Sequence, residues 1–112
     1  MDIEAQSLVS TDQLKITIPS SGERFGMSLK KGQSTILGRS NLGSNAASVS
    51  SQHLEIISMG RRVFLRHIGR YPTAVLRDGQ WYNLRETWVE VEELSTAPIT
   101  LRLADLHIDI GI

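Results

Sequence analysis

Gly38-Arg39 closes the short apolar run Thr35-Ile36-Leu37, and Ser50-Ser51-Gln52-His53 opens the next run at Leu54. The two groups therefore sit at the tips of strand-like segments, joined by a polar stretch. A guanidinium is planar and permanently charged, and serine hydroxyls are short donors. Converging on one point, they form the kind of cradle with which a fold lacking a helix N-terminus holds a phosphate. Taken singly, each residue has a plainer reading. An arginine at a strand end is ordinarily solvated or salt-bridged. A loop serine ordinarily bonds its own turn, and a lone histidine such as His53 is more often a satisfied supporting residue than a reactive one. The signal lies in the combination at this spacing.

The elements that must position these residues follow a period of two. Leu14, Ile16 and Ile18 alternate with polar residues, as do Phe25, Met27 and Leu29, with Pro19-Ser20-Ser21-Gly22-Glu23 between them. This reads as a hairpin buried on one face. Leu54 to Ser58 and Val63 to Leu65 form another around Met59-Gly60-Arg61-Arg62. Thr73 to Leu76 and Trp81 to Leu84 flank Asp78-Gly79, the dipeptide that enters the positive-φ turn of a tight hairpin at least cost. Thr87, Val89 and Val91 alternate with Trp88, Glu90 and Glu92 as a strand with a charged face. At the end, Ile99, Leu101 and Leu103 are odd while Leu106, Ile108 and Ile110 are even, so the phase slips at Ala104-Asp105 through either a bulge or a turn. No convincing helical stripe is present. Turn signals recur roughly every 8 to 12 residues, the rhythm of an all-β, two-sheet antiparallel sandwich. Ser40 to Ser51, with five serines in twelve residues, reads as a surface loop. Residues 1–11 lack periodicity and are expected to be a flexible tail, leaving one domain over 12–112.

Composition narrows the function. With 112 residues the chain is one domain, long enough to bury about two-thirds of its unfolded surface. Twelve basic residues balance twelve acidic ones, so no global field draws it to nucleic acid or an anionic membrane, and any anion site is local. Cysteine is absent, which removes disulfides and thiolate metal sites. No segment reaches the roughly 20 apolar residues of a membrane span, and the acidic N-terminus is unlike a secretory signal. A soluble cytoplasmic chain without cofactors is the expectation. A hydrolase built on Ser50, His53 or His67 lacks a strained, glycine-flanked serine and an acid behind the histidine. His107 with Asp105 and Asp109 lacks a recognised metal spacing.

Gly38-Arg39, followed by Ser50-x-x-His53 inside Val49-Ser50-Ser51-Gln52-His53-Leu54-Glu55-Ile56, resembles the core signature of forkhead-associated (FHA) domains. The order of strands and turns is similar from about Leu14 to Ile110. The resemblance implies a sandwich of about eleven strands whose loops at one end bind phosphothreonine peptides, placing the chain downstream of a serine/threonine kinase. It assigns Arg39, Ser50 and Ser51 to the phosphopeptide. Gly38 and His53 become structural supports of the loop, the latter by hydrogen bonds. Ser48 stands where some members carry a second basic residue. The chain departs from the family where an asparagine clamps the peptide backbone: the region reads His67-Ile68-Gly69-Arg70-Tyr71-Pro72-Thr73, with Tyr71 for asparagine, Pro72 for glycine and Thr73 in the threonine slot. Arg70, Tyr71 and Thr73, with Ser48, are the candidate rim contacts, Arg70 being equally readable as an ordinary exposed arginine. Two functions follow: a non-enzymatic phosphothreonine reader, or a degenerate FHA scaffold that docks partners without phosphate. A module excised from a longer protein fits either.

Overall fold

The computed structural model describes residues 11–43, 46–59, 62–91 and 98–111. Ten strands occur among them: β1 (Thr11–Ile18), β2 (Glu23–Lys30), β3 (Ser34–Leu37), β4 (Leu54–Met59), β5 (Arg62–His67), β6 (Thr73–Arg77), β7 (Gln80–Asn83), β8 (Val89–Val91), β9 (Ile99–Leu103) and β10 (Leu106–Gly111). They form two antiparallel sheets, a six-stranded one ordered β2-β1-β10-β9-β6-β7 and a four-stranded one ordered β3-β4-β5-β8. The fold is the all-β two-sheet sandwich that the alternation predicts.

Alternation works because one face of each strand turns inward. Leu14, Ile16 and Ile18 of β1, Ile56 of β4, Leu65 of β5, Leu101 and Leu103 of β9 and Ile108 and Ile110 of β10 are all essentially inaccessible and make one core. The expected hairpins form, β1 with β2, β4 with β5, and β6 with β7. Asp78 and Gly79 adopt φ 51° and 78°, the double positive-φ turn foreseen for that dipeptide.

The slip at Ala104-Asp105 is a turn. Leu103 pairs directly with Leu106 across a two-residue loop, so odd positions before the turn and even positions after it share one face. Ala104 takes φ 57° to make this possible. The expected tail over 1–11 lies outside the described residues except for Thr11, which begins β1. The turn tip at 60–61 and Glu92 of the expected charged strand also lie outside them. No described helix is long and apolar enough to cross a membrane.

One expectation changes. Ser40 to Ser51 is not simply a surface loop: it begins with one helical turn, α1 (Arg39–Leu42), and sends Leu42, Ala46 and Val49 into the core at 2%, 1% and 0% exposure. Three apolar residues among serines are enough to pin the segment, and a four-residue helix is too short to print a periodicity. The β3–β4, β5–β6, β7–β8 and β9–β10 connections all reach this end of the sandwich. Leu37, Leu54 and His67 form its last row in one sheet, and Thr73, Leu103 and Leu106 the last row in the other.

Candidate functional site

Ser50 is the junction of the loop end. Its carbonyl accepts a hydrogen bond from the Arg39 backbone N–H at 3.0 Å, and its hydroxyl oxygen accepts one from the Arg70 backbone N–H at 2.8 Å. Its own N–H donates to His53 Nδ1 at 3.0 Å. The residues that follow β3, precede β4 and follow β5 are thereby tied to one serine, which keeps its hydroxyl hydrogen for another acceptor.

Gly38 is what lets the strands' ends close up. A side chain there would run into the carbonyl group of Ser51, so only glycine permits this approach. Its N–H donates to Asn41 Oδ1 at 2.8 Å, a reach back across the first turn of α1 that fixes the Gly38-Arg39 link. Arg39 is exposed, and its Nε donates to the Val49 carbonyl at 2.8 Å. That bond orients the guanidinium and leaves its terminal amino groups without a partner among the described residues. Among the described residues no carboxylate pairs with Arg39 or Arg70.

His53 is fully buried beneath this junction. Its backbone is paired on both sides, N–H to the Leu37 carbonyl and carbonyl to the Ile68 N–H. Because Nδ1 accepts from Ser50, the ring carries its proton on Nε2, a buried atom with no partner of full hydrogen-bond geometry among the described residues. Burial pushes the imidazole below its ordinary pKa. The Pro72 carbonyl pulls it back in part, and the neighbouring His67 adds to the lowering. The two imidazoles meet edge to face at 5.5 Å. Gly69 lies against the His53 ring, where a side chain would collide with Nδ1 and Cγ.

The sequence-predicted residues separate into two groups. Arg39, Ser50 and Arg70 come together, with Gly38 and His53 as supports. Ser51 is exposed, and its structural contribution is the main chain packed on Gly38. Ser48 and Tyr71, with Pro72, Ala104 and Asp105, line an open groove of about 410 Å³ beside the junction. Tyr71 is 50% exposed, and the Arg70 guanidinium carbon stands 5.9 Å from its ring centroid. Thr73 is a correction. It is fully buried, and its hydroxyl is 2.8 Å from His67 Nδ1, so it belongs to the support and not to the rim. The cause is its place at the start of β6, where Thr73, Ala74 and Val75 are all buried and the strand is enclosed on both faces.

Three contributors escaped the sequence reading. Asn41 left only its spacing as a signal, three residues after Gly38, from where its side-chain oxygen reaches back to the Gly38 N–H. His67, weighed only as a hydrolase partner, is half-buried and bonded to Thr73. Gly69 left no signal, since its need is a ring sixteen residues away in sequence. The groups passed over as metal ligands have other duties: Asp109 accepts from the Thr100 hydroxyl at 2.8 Å, and His107 meets the Trp81 ring edge to face. No cluster of three metal-ligating residues occurs among the described residues.

This arrangement can bind an anion. It offers the Arg39 amino groups and the Ser50 hydroxyl at one junction, with Arg70 tied to the same serine by its main chain. A comparison with protein-family models finds none that matches, and no curated protein matches the chain.

Proposed function

We propose that this chain is an FHA-type module that binds phosphothreonine in a protein partner, recruiting the product of a serine/threonine kinase in the cytoplasm without catalysing a reaction. The observation that carries the reading is the Ser50 junction: one serine whose carbonyl accepts from the Arg39 backbone and whose hydroxyl accepts from the Arg70 backbone, the charged ends of both arginines having no carboxylate partner among the described residues. A phosphothreonine brings about −1.5 to −2 charges and three acceptor oxygens. Arg39 supplies the forked donor and Ser50 a hydroxyl donor, while Ser51 flanks them on the exposed side. His53 and Gly38 hold the loop that presents them. Charge-assisted bonds of this kind are roughly twice as strong as neutral ones, which makes affinity dependent on the phosphate.

A second reading is phosphate-independent docking. It draws on Tyr71 and Pro72 standing where a family member has its amide clamp, and on half-exposed Tyr71 in the wall of the groove. Calorimetry with one threonine peptide in phosphorylated and unmodified forms separates the two. The phosphothreonine reader loses on the order of a hundredfold or more in affinity without the phosphate, and Arg39→Ala abolishes binding of the phosphorylated form while the chain still unfolds cooperatively, only a few degrees lower. Equal affinity for the two forms leaves the docking scaffold.

A further inference from the structure

Ser50 has an arginine on either side, and the two are not equivalent. Arg39 is steered by its own Nε bond to the Val49 carbonyl. Arg70 is fixed at its main chain, through its N–H on the Ser50 hydroxyl, and its guanidinium lies over the Tyr71 ring with no carboxylate partner among the described residues. A guanidinium resting on an aromatic face keeps its edge N–H groups directed outward, in the plane where a carboxylate binds in two-pronged fashion. Tyr71 also belongs to the groove wall, so the ring that carries this second cation is shared with the groove.

We propose that Arg70 is a second anion contact, and that the peptide recognised carries an acidic side chain next to its phosphothreonine. This rests on the phosphothreonine reading above and extends it to the sequence around the phosphate. A single phosphate cannot use both arginines to the full, because Ser50 and the Arg39 fork already supply donors to its oxygens. A neighbouring Asp or Glu side chain carries its charge a few ångströms away and gives Arg70 its own partner. Arg70 thus does a different task from a peptide-backbone clamp. An amide holds any sequence by its main chain, whereas a guanidinium selects for charge. The Arg39 and Arg70 main chains bond different atoms of Ser50, so truncating one charged side chain leaves the main-chain bond of the other in place.

The test uses the whole chain and three peptides of one sequence: phosphothreonine flanked on both sides by Asp, phosphothreonine flanked by Ala, and the Asp-flanked peptide without phosphate. Wild type is expected to favour the Asp-flanked phosphopeptide over the Ala-flanked one by about tenfold. Arg70→Gln keeps the N–H that bonds Ser50 and is expected to bring the Asp-flanked phosphopeptide down to the affinity of the Ala-flanked one, with binding of both still dependent on the phosphate. Arg39→Ala is expected to lose both phosphopeptides. An Arg70→Gln variant that folds normally and retains the full preference overturns the role of Arg70 and leaves the phosphothreonine reading standing. A wild-type chain indifferent to the phosphate overturns both.

Discussion

Arginines on the four-stranded sheet and arginines at the loop end are treated in opposite ways. On the sheet's outer face, Arg66 donates to Glu55 at 2.6 Å and its guanidinium carbon lies 4.8 Å from the Trp88 ring centroid. Arg62 forks onto both oxygens of Glu90, at 3.0 and 2.8 Å, and stands 5.4 Å from the Phe64 ring. At the loop end Arg39 has a backbone carbonyl and Arg70 an aromatic ring, and neither has a carboxylate among the described residues. Antiparallel register explains the first case. Glu55 and Arg66 are direct cross-strand partners, and Arg62 is a diagonal neighbour of Glu90, which stands opposite Phe64, so each arginine finds its carboxylate on the adjacent strand. Irregular loops have no such register and anchor their cations by main-chain bonds instead. The sheet neutralises its arginines internally, and the loop end leaves its arginines open to the anion proposed above.

If the loop end is a rigid platform for those charges, its supports should be the costliest residues to change. Gly38→Ala puts a methyl group into the Ser51 carbonyl group in a backbone contact that cannot relax by a rotamer change. It is expected to cost about 3 kcal/mol in urea unfolding, more than any charge substitution on the sheet. A tolerated alanine would mean that the platform is compliant, and the contrast with the sheet would lose its basis.

The next effect is a pH dependence. His53 is neutral in the folded chain and its pKa is lowered by burial, so the unfolded chain takes up the proton first as pH falls. Stability is therefore complete above about pH 6.5, the unfolded value, and declines below it until the folded imidazole also titrates. Protonation sets two donors, Nδ1–H and the Ser50 N–H, against each other. His53→Asn retains an acceptor without the titration and is expected to flatten the dependence of unfolding free energy between pH 7 and 5. An unchanged slope in that variant would remove His53 as its source.

The body of the sandwich was readable in the sequence because its information is local. Alternation over Leu14, Ile16 and Ile18 states which face is buried, and Asp78-Gly79 states its own turn. The phase change at Ala104-Asp105 was visible, yet bulge and turn gave the same pattern until Leu103 was seen opposite Leu106. The phosphate-cradle candidates Arg39 and Ser50 were found from spacing, and they do adjoin through the Arg39 N–H. Their supports were harder. Gly69 is required by a histidine ring brought in by another connection, and Thr73 reads as a rim residue unless the start of β6 is known to be enclosed on both faces. The serine-rich stretch concealed Leu42, Ala46 and Val49 because three core residues scattered through an irregular path share no period.

Smaller effects sharpen the comparison most directly. Burial alone would raise the Glu55 carboxyl, but hydrogen bonds from Arg66 and Ser34 and the Arg66 charge outweigh it and hold the group below its ordinary range. Glu55→Gln is therefore expected to destabilise by about 1 kcal/mol at neutral pH, and the loss should vanish as the pH falls through the lowered carboxyl value, where wild type also loses the charge. Arg70→Gln preserves the main-chain bond to Ser50 and gives up only an exposed contact with Tyr71. Its expected cost is below about 0.5 kcal/mol. Arg39→Ala forfeits one bond to the Val49 carbonyl and is expected to cost about 0.5 to 1 kcal/mol. The order of these three values is the decisive quantity. If urea unfolding ranks Arg39→Ala well above Glu55→Gln, Arg39 is chiefly a pin for the Val49 turn, and its charge at the loop end is incidental to its structural role.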